Sequence, residues 1–243
     1  MHTQSKHVLI TGGAKRLGRA IADRLLQEGA RLTVHYHTAQ PEAQAFEKEA
    51  KKRGHEIQCL SADLADPAAP KQIVEKAIAG LGPIDVLINS ASLFFPTPAQ
   101  SATQNAWDEL LPCNLTSLFF LCQQVHNTQP KGGVILNLCD VYAERALPGY
   151  AIYSATKAGV RQLTRVLAKE WAPHWRVNAL SPGPILFPPH YTEEQKQGSI
   201  ERTLLKRKGE PNEIAAAAKF LIENTYLTGV DLCVDGGRSL SFF

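Results

Sequence analysis

Tyr153 and Lys157 stand four residues apart in the segment 149–173, GYAIYSATKAGVRQLTRVLAKEWAP, whose pattern predicts one long helix. Side chains at this spacing project from the same face of a helix. A phenol with a pKa of about 10 is a poor acid or base at neutral pH, but a nearby ammonium favours the phenolate and lowers that pKa. The pair therefore predicts proton transfer by Tyr153, assisted by Lys157.

A glycine-rich turn, TGGAKRLG (11–18), lies between the apolar run HVLI and a helical pattern. In that context the backbone N–H groups and the helix N-terminus bind pyrophosphate. Gly12 permits a tight turn, and Gly18 permits close packing of helix on strand. Arg16 stands where a third glycine would be expected between them. We expect Gly12, Arg16 and Leu17 to contact a dinucleotide.

The end of the second predicted strand carries no acidic residue. Enzymes that bind NAD commonly place a carboxylate there, which accepts from the ribose 2′-OH and would repel a 2′-phosphate. The chain instead has imidazole and hydroxyl groups, with Lys15 and Arg16 predicted to be close by. The sequence therefore predicts NADPH as the cofactor, with contacts from His35, Tyr36, His37 and Thr38.

Strand-like and helix-like segments alternate along the chain, which implies a parallel sheet covered by helices on both faces. The right-handed crossover rule then gives a doubly wound, Rossmann-like α/β fold. No linker or repeat interrupts the pattern, so residues 1–243 are predicted to form a single domain. Residues 101–129 predict a helix that is broken at Pro112, and residues 185–200 predict a mobile insert without strand or strong helix.

Composition excludes several classes of function. The formal net charge of +3 is spread over 243 residues, and the dense basic run KRK (206–208) is short, so we expect no nucleic-acid partner. We expect no membrane segment, because no apolar run approaches about 18 residues. The five cysteines are scattered and predict reduced thiols and no metal site. With no signal-peptide pattern, the chain is predicted to be cytoplasmic.

Several motifs together resemble the short-chain dehydrogenase/reductase family, and they extend from about residue 6 to residue 237. They are TGGAKRLG, NSAS (89–92), Asn114, YSATK (153–157) and SPGP (181–184). The resemblance implies that Tyr153 passes a proton, that Lys157 orients the nicotinamide ribose and that Asn114 holds a water relay behind it. It also implies a homotetramer, a substrate lid at about 185–205, and cofactor contacts from Asp63, Leu64, Asn89, Ser90, Ala91, Pro182, Gly183 and Ile185.

Asp140 departs from the family pattern, which usually has a serine at that place, about a dozen residues before the tyrosine. An ionised carboxyl only accepts hydrogen bonds and a protonated one can donate, so it polarises a neutral ketone poorly. It suits a substrate that offers N–H groups or receives a proton on a ring nitrogen. A cap for the following segment, or a degenerate site, is the structural alternative.

The segments KRLG (15–18), HYH (35–37) and SLFFPTP (92–98), with the spacing of Asp140 and Tyr153, resemble the pteridine reductase subgroup. The resemblance implies NADPH-dependent reduction of a dihydropterin or dihydrofolate. Phe94 would stack on the pterin, Asp140 and Tyr153 would deliver the proton, and Arg16 and Ser92 would complete the substrate site. Two alternatives stay open: reduction of a 3-ketoacyl thioester or another carbonyl, and a non-catalytic NADP-binding protein.

Overall fold

Seven parallel strands form the centre of the computed structural model, which describes residues 3–189 and 191–241. The strands are β1 (His7–Thr11), β2 (Arg31–Tyr36), β3 (Ile57–Ser61), β4 (Val86–Asn89), β5 (Gly133–Leu138), β6 (Trp175–Pro182) and β7 (Asp231–Val234). Their order across the sheet is β3-β2-β1-β4-β5-β6-β7. This architecture confirms the predicted doubly wound parallel sheet.

Helices cover both faces of the sheet. They are α1 (Arg16–Gln27), α2 (Gln40–Lys52), α3 (Ala69–Leu81), α4 (Gln104–Leu111), α5 (Ser117–Thr128), α6 (Ala151–Trp171), α7 (Glu193–Glu201) and α8 (Pro211–Glu223). Helices α1, α2 and α8 bury apolar side chains in one core. Helices α3, α5 and α6 do the same on the opposite face. The strands between these cores are rich in Val, Ile and Leu because both of their faces are buried.

Strand β1 pairs with β2 on one side and with β4 on the other. The chain therefore leaves β1 and β4 toward opposite faces of the sheet, which opens a crevice at the carboxyl ends of these strands. The loops that follow β1, β4, β5 and β6 all reach this edge. The sheet order thus decides where the candidate site lies.

Helix α4 ends at Leu111, directly before Pro112, where the sequence predicts a break, but the chain remains helical beyond it. Pro112 begins a π-helical turn, Pro112–Thr116, that leads directly into α5. The backbone N–H of Ser117 reaches the Pro112 carbonyl, a wider spacing than in an α-helix. Because such a turn re-pairs the backbone around proline, the helix continues. The same turn carries Asn114.

The segment predicted as an insert without helix contains α7. Its start is fixed by a capping box, in which Thr192 and Gln195 each accept from the other's backbone N–H. Helix α7 buries none of its residues, so it lacks the apolar periodicity that would have revealed it. His190, which belongs to the predicted lid at 185–205, lies outside the described residues.

No helix in the described ranges combines the length and the apolar character needed to cross a bilayer. Over the same ranges, no group of three or more His, Cys, Asp or Glu side chains is arranged to hold a metal ion.

Candidate active site

A cleft of about 350 Å³ opens at the carboxyl ends of the strands. Predicted site residues that line it are Gly12, Arg16, Leu17, Ser90, Ala91, Ser92, Phe94, Asp140, Tyr153, Lys157, Pro182, Gly183 and Ile185. Those that do not line it are His35, Tyr36, His37, Thr38, Asp63, Leu64, Asn89 and Asn114. The volume is in the range of small-molecule sites.

The Asp140 and Tyr153 side chains meet inside the cleft. The Tyr153 hydroxyl donates to Asp140 Oδ2 over 2.6 Å, and the backbone N–H of Tyr142 donates to Asp140 Oδ1 over 2.9 Å. The second contact is the cap that the sequence left open as an alternative, and the first shows that Asp140 also pairs with the tyrosine. One carboxyl therefore starts a short 3₁₀ turn, Val141–Ala143, and holds the phenol.

Lys157 is buried behind this pair. Its Nζ donates to the Leu138 carbonyl over 2.9 Å and lies 5.7 Å from the centre of the Tyr153 ring. The spacing of four residues on α6 places both side chains toward the cleft, as the helical geometry requires. The ammonium is close enough to favour negative charge on its neighbours.

The pKa of Tyr153 is raised well above its ordinary value, first by burial and then by the adjacent Asp140. The predicted lowering of this pKa was therefore wrong, because burial and the neighbouring carboxyl raise it. Burial also raises the pKa of Asp140, although the Tyr153 hydrogen bond opposes that rise. Burial lowers the pKa of Lys157. Asp140 and Tyr153 therefore both favour their protonated forms.

The glycine-rich turn has no room for extra side-chain atoms. A Cβ on Gly12, whose φ is +62°, would lie 2.9 Å from Ala91 Cα, and one on Gly18 would overlap the Gly12 carbonyl oxygen. The turn therefore keeps a cradle of bare backbone before α1, and its shape fits the pyrophosphate of a dinucleotide.

Comparisons with known proteins agree with this geometry. A sequence model described as enoyl-(acyl carrier protein) reductase matches residues 12–239. The chain is 32% identical over 240 residues to 3-oxoacyl-[acyl-carrier-protein] reductase FabG of Staphylococcus epidermidis, over 96% of this chain and 98% of that one. It also superimposes on a Serratia marcescens short-chain dehydrogenase/reductase with a TM-score of 0.93 and 29% identity, over 98% and 100% of the chains. The chain belongs to the short-chain dehydrogenase/reductase family of oxidoreductases.

A further solved structure bears on ligands. FolM alternative dihydrofolate reductase 1 from Brucella canis, complexed with NADP, matches with a TM-score of 0.92 and 29% identity. The match covers 100% of this chain and 97% of that one. A family member with the same architecture therefore binds NADP.

Arg16 links the glycine-rich turn to the segment after β6 in this short-chain dehydrogenase/reductase. Its φ is +54°, a conformation that residues other than glycine rarely adopt. Its Nη2 donates to the Leu186 carbonyl over 2.7 Å. Arg16 therefore has the positive φ that a glycine would adopt at this position, and its guanidinium reaches the start of the predicted lid.

The end of β2 only partly matches the prediction of a phosphate contact. His35 is buried beneath the turn: Gly12 N–H lies 3.4 Å from its Nδ1, and Nε2 lies 3.1 Å from the Ala62 carbonyl. Burial lowers the pKa of His35 to about 4, so its ring is neutral at pH 7. Direct contact of His35 with a phosphate is not supported. Its imidazole instead holds the turn in place.

The next residues along β2 and β3 are closer to solvent. Tyr36 is half-buried against the core, whereas His37 and Thr38 are exposed. His37 Nε2 lies 4.0 Å from Asp63 Oδ2, and Asp63 Oδ1 accepts from the Ala65 backbone. Leu64 is buried in the core and offers only its backbone to a ligand. Two exposed groups, His37 and Thr38, therefore remain candidates to meet a 2′-phosphate.

The segment after β4 is held by hydrogen bonds to neighbouring elements. Thr11 Oγ1 accepts from the backbone N–H groups of Ser90 and Ala91 over 3.0 and 3.1 Å. Asn89 is buried and donates to Asn137 Oδ1 over 2.9 Å. Asn89 therefore joins β4 to β5 inside the sheet and does not reach the cleft.

Asn114 holds the substrate side of the same segment. Its Nδ2 donates to the Leu93 carbonyl over 2.9 Å, and its Oδ1 accepts from the Leu93 N–H over 2.8 Å. The Ser92 hydroxyl also donates to Asn114 Oδ1, over 3.3 Å. The side chain of Asn114 thus fixes the strand extension that carries Phe94.

Phe94 lies against the start of α6. Its ring stacks on Tyr150 with centres 4.5 Å apart, and it meets the edge of Tyr153 at 4.7 Å. A flat heterocycle next to Tyr153 would therefore contact an aromatic platform.

The segment after β6 forms another part of the cleft lining, with Pro182, Gly183 and Ile185. A Cβ on Gly183 would lie 2.6 Å from Asp235 Cα, and Ile185 is buried.

The residues that sequence reasoning missed include three with polar or aromatic roles at the site, Tyr142, Tyr150 and Arg238. Tyr142 and Arg238 line the cleft, and Tyr150 supports Phe94. Arg238 comes from the segment after β7, which no motif connected with the cleft. Its only sequence signal was a cation that directly follows two glycines near the end of an apolar strand.

Proposed function

We propose that this protein is an NADPH-dependent pteridine reductase that converts a dihydropterin or dihydrofolate into its tetrahydro form. The observation that carries the proposal is the 2.6 Å hydrogen bond between the buried Tyr153 and the half-buried Asp140. A carboxyl whose pKa is raised can hold and donate a proton, which a serine at this place could only relay. Reduction of a C=N bond needs such a proton on nitrogen.

NADPH would be held by the bare backbone of the Gly12 turn, with Arg16 over the pyrophosphate and His37 and Thr38 toward the 2′-phosphate. When bound, it supplies the hydride that adds to the carbon of the C=N bond. Leu17, Asp63, Ser90, Ala91, Pro182, Gly183 and Ile185 are proposed as further contacts. Lys15 forms a 2.7 Å ion pair with Glu42, so its charge reaches the 2′-phosphate only if that pair opens.

Asp140 and Tyr153 would together deliver the proton. The Tyr153 hydroxyl donates its proton to the nitrogen of the C=N bond, and Asp140 then replaces that proton on the phenol. Lys157 stabilises the negative charge that develops between these steps, because its Nζ lies 5.7 Å from the Tyr153 ring centre. Phe94 and Ser92 would position the ring, since proton donor and acceptor must be held in hydrogen-bond range.

We also propose that residues 1–243 act as one domain whose segment 185–205 closes over the substrate. Arg16 supports this, since its bond to the Leu186 carbonyl joins that segment to the glycine-rich turn. Assembly as a homotetramer is proposed from the exposed apolar side chains of Trp107, Phe120 and Val166 on α4, α5 and α6. Sedimentation of the purified chain would test the assembly.

A second candidate is reduction of a 3-ketoacyl thioester, which the 32% identity to a 3-oxoacyl-[acyl-carrier-protein] reductase favours. Asp140 opposes it, because it stands where the family usually has the serine hydroxyl that holds a substrate carbonyl. The deciding experiment follows NADPH consumption with a dihydropterin, with dihydrofolate and with acetoacetyl thioester, each repeated with NADH. Turnover of the pterin or folate with NADPH supports the proposal. Turnover of the thioester alone would replace it, and tight NADPH binding without turnover would indicate a non-catalytic protein.

A further inference from the structure

Arg238 is a buried cation at the wall of the cleft. It begins the short 3₁₀ turn Arg238–Leu240 after β7, its exposed fraction is 6%, and it lines the cleft together with Asp140 and Tyr153. Within residues 3–189 and 191–241, no carboxylate lies within 4.0 Å of its guanidinium as an ion-pair partner. The proposed proton transfer makes no use of this charge.

The contacts of Arg238 leave part of its guanidinium unused. Nη2 donates to the Tyr142 hydroxyl over 3.3 Å, and Cζ lies 5.7 Å from the centre of the Tyr142 ring. Its Nε is buried and finds no hydrogen-bond partner among the described residues. A buried guanidinium without a counter-charge is costly, and a ligand that supplies acceptor oxygens would remove that cost.

The backbone around Arg238 holds the side chain in this place. Arg145 Nη1 donates to the Arg238 carbonyl over 2.8 Å. Asp235 accepts from the N–H groups of Gly237 over 2.9 Å and of Ser239 over 2.6 Å. The turn is therefore fixed on both sides of Arg238, as expected for a residue that is positioned before a ligand arrives.

Tyr142 contacts both Arg238 and Asp140, which is one of the two residues proposed to deliver the proton. Its backbone N–H contacts Asp140, while its hydroxyl, at the far end of the side chain, contacts Arg238. Tyr142 thus bridges the two groups, so that Asp140 and the guanidinium contact opposite ends of one tyrosine residue. A substrate that spans these two groups has its reacting ring at Asp140 and Tyr153 and a second polar group at Arg238.

We propose that Arg238 binds the carboxylate-bearing tail of the substrate, so that the protein prefers a dihydrofolate to a dihydropterin with a neutral side chain. This inference rests on the proposed function. A guanidinium recognises a carboxylate through paired, charge-assisted hydrogen bonds. The small hydroxylated side chain of an unconjugated pterin offers no negative charge and leaves the Arg238 cation uncompensated.

The test compares kcat/KM for dihydrofolate and for dihydrobiopterin in the wild type, Arg238→Gln and Arg238→Lys. Loss of a charge-assisted contact should lower kcat/KM for dihydrofolate by about 10- to 100-fold, mainly through KM. The value for dihydrobiopterin should fall much less, and Arg238→Lys should recover part of the loss for dihydrofolate. Raised salt should increase KM for dihydrofolate alone.

Arg145→Gln is the structural control, because it removes a hydrogen bond to the same turn but keeps the Arg238 guanidinium. It should lower kcat/KM for dihydrofolate less than Arg238→Gln does, and circular dichroism would verify that each variant is folded. Equal losses of both substrates in Arg238→Gln would overturn the inference, as would a wild type that reduces dihydrobiopterin faster than dihydrofolate. Both results leave pteridine reduction intact. A wild type that reduces neither compound refutes the proposed function and the inference together.

Discussion

The two ends of the cleft are built from different kinds of atoms. At the end formed by the glycine-rich turn, bare backbone and the start of α1 face the cavity, and shape decides what fits. At the other end, the ionisable side chains of Asp140, Tyr153, Lys157 and Arg238 face it, and all of them are buried except the half-buried Asp140. The difference teaches that a backbone cradle can be encoded in one local motif, whereas the ionisable end needs side chains brought together from the segments after β5 and β7 and from α6.

Removal of the phenol should produce the largest effect at the ionisable end. In Tyr153→Phe the proton donor is lost, and kcat should fall by about 10²- to 10⁴-fold. The dissociation constant of NADPH should stay the same, because the glycine-rich turn is untouched; fluorescence titration would measure it. Tyr226→Phe, at a side chain that is 98% exposed, is the control. Full turnover in Tyr153→Phe would show that the proton comes from elsewhere.

Gly18→Ala should affect the opposite end. The added methyl group overlaps the Gly12 carbonyl oxygen, so the turn must shift. We expect a loss of about 1–3 kcal/mol in the free energy of unfolding and an NADPH affinity lowered by about 10- to 100-fold. Calorimetry would measure both. Gly198→Ala is a matched control, since nothing lies within 4 Å of its new Cβ. Unchanged NADPH affinity in Gly18→Ala would contradict a phosphate cradle.

The smallest expected effect is on how the stability of the folded protein depends on pH through Asp140. Burial raises its pKa in the folded protein, so the native state holds a proton that the unfolded chain releases at a pH of about 4. Its contribution to stability is therefore present below that pH and is lost as the pH rises through the raised pKa. In Asp140→Asn this loss of stability with rising pH should be absent. Melting temperatures of the wild type and the variant, measured across the pH range, would show the difference.

The same substitution sharpens the functional comparison. Turnover of a dihydropterin should decline as Asp140 ionises, and this limb of the pH–rate profile should disappear in Asp140→Asn together with most of the activity. Asp235→Asn provides a control carboxylate, because Asp235 accepts only backbone hydrogen bonds in the turn before Arg238. Identical profiles for wild type and Asp140→Asn would remove Asp140 from the proton path.

The helices and strands were predictable to the extent that their patterns are periodic. Alternating strands and helices gave the parallel sheet, since buried strands read as apolar runs and covering helices as amphipathic ones. The continuation of the helix through Pro112 and the presence of α7 were not predictable. The first depends on a π-helical turn that re-pairs the backbone, and the second on a capping box without an apolar stripe.

By itself, the sequence determined the sheet, the glycine-rich turn and the pairing of Tyr153 with Lys157. The signals that indicate them are apolar runs, glycines and a spacing of four residues, and each of these signals lies within one element or one turn. Only the tertiary structure decided the protonation of the site and its extent. Burial and Asp140 raise the pKa of Tyr153 although Lys157 is close. His35 is buried away from the cleft, and Arg238 reaches the cleft from the segment after β7. Desolvation and long-range contacts are sums over the whole fold, and no local spacing records them.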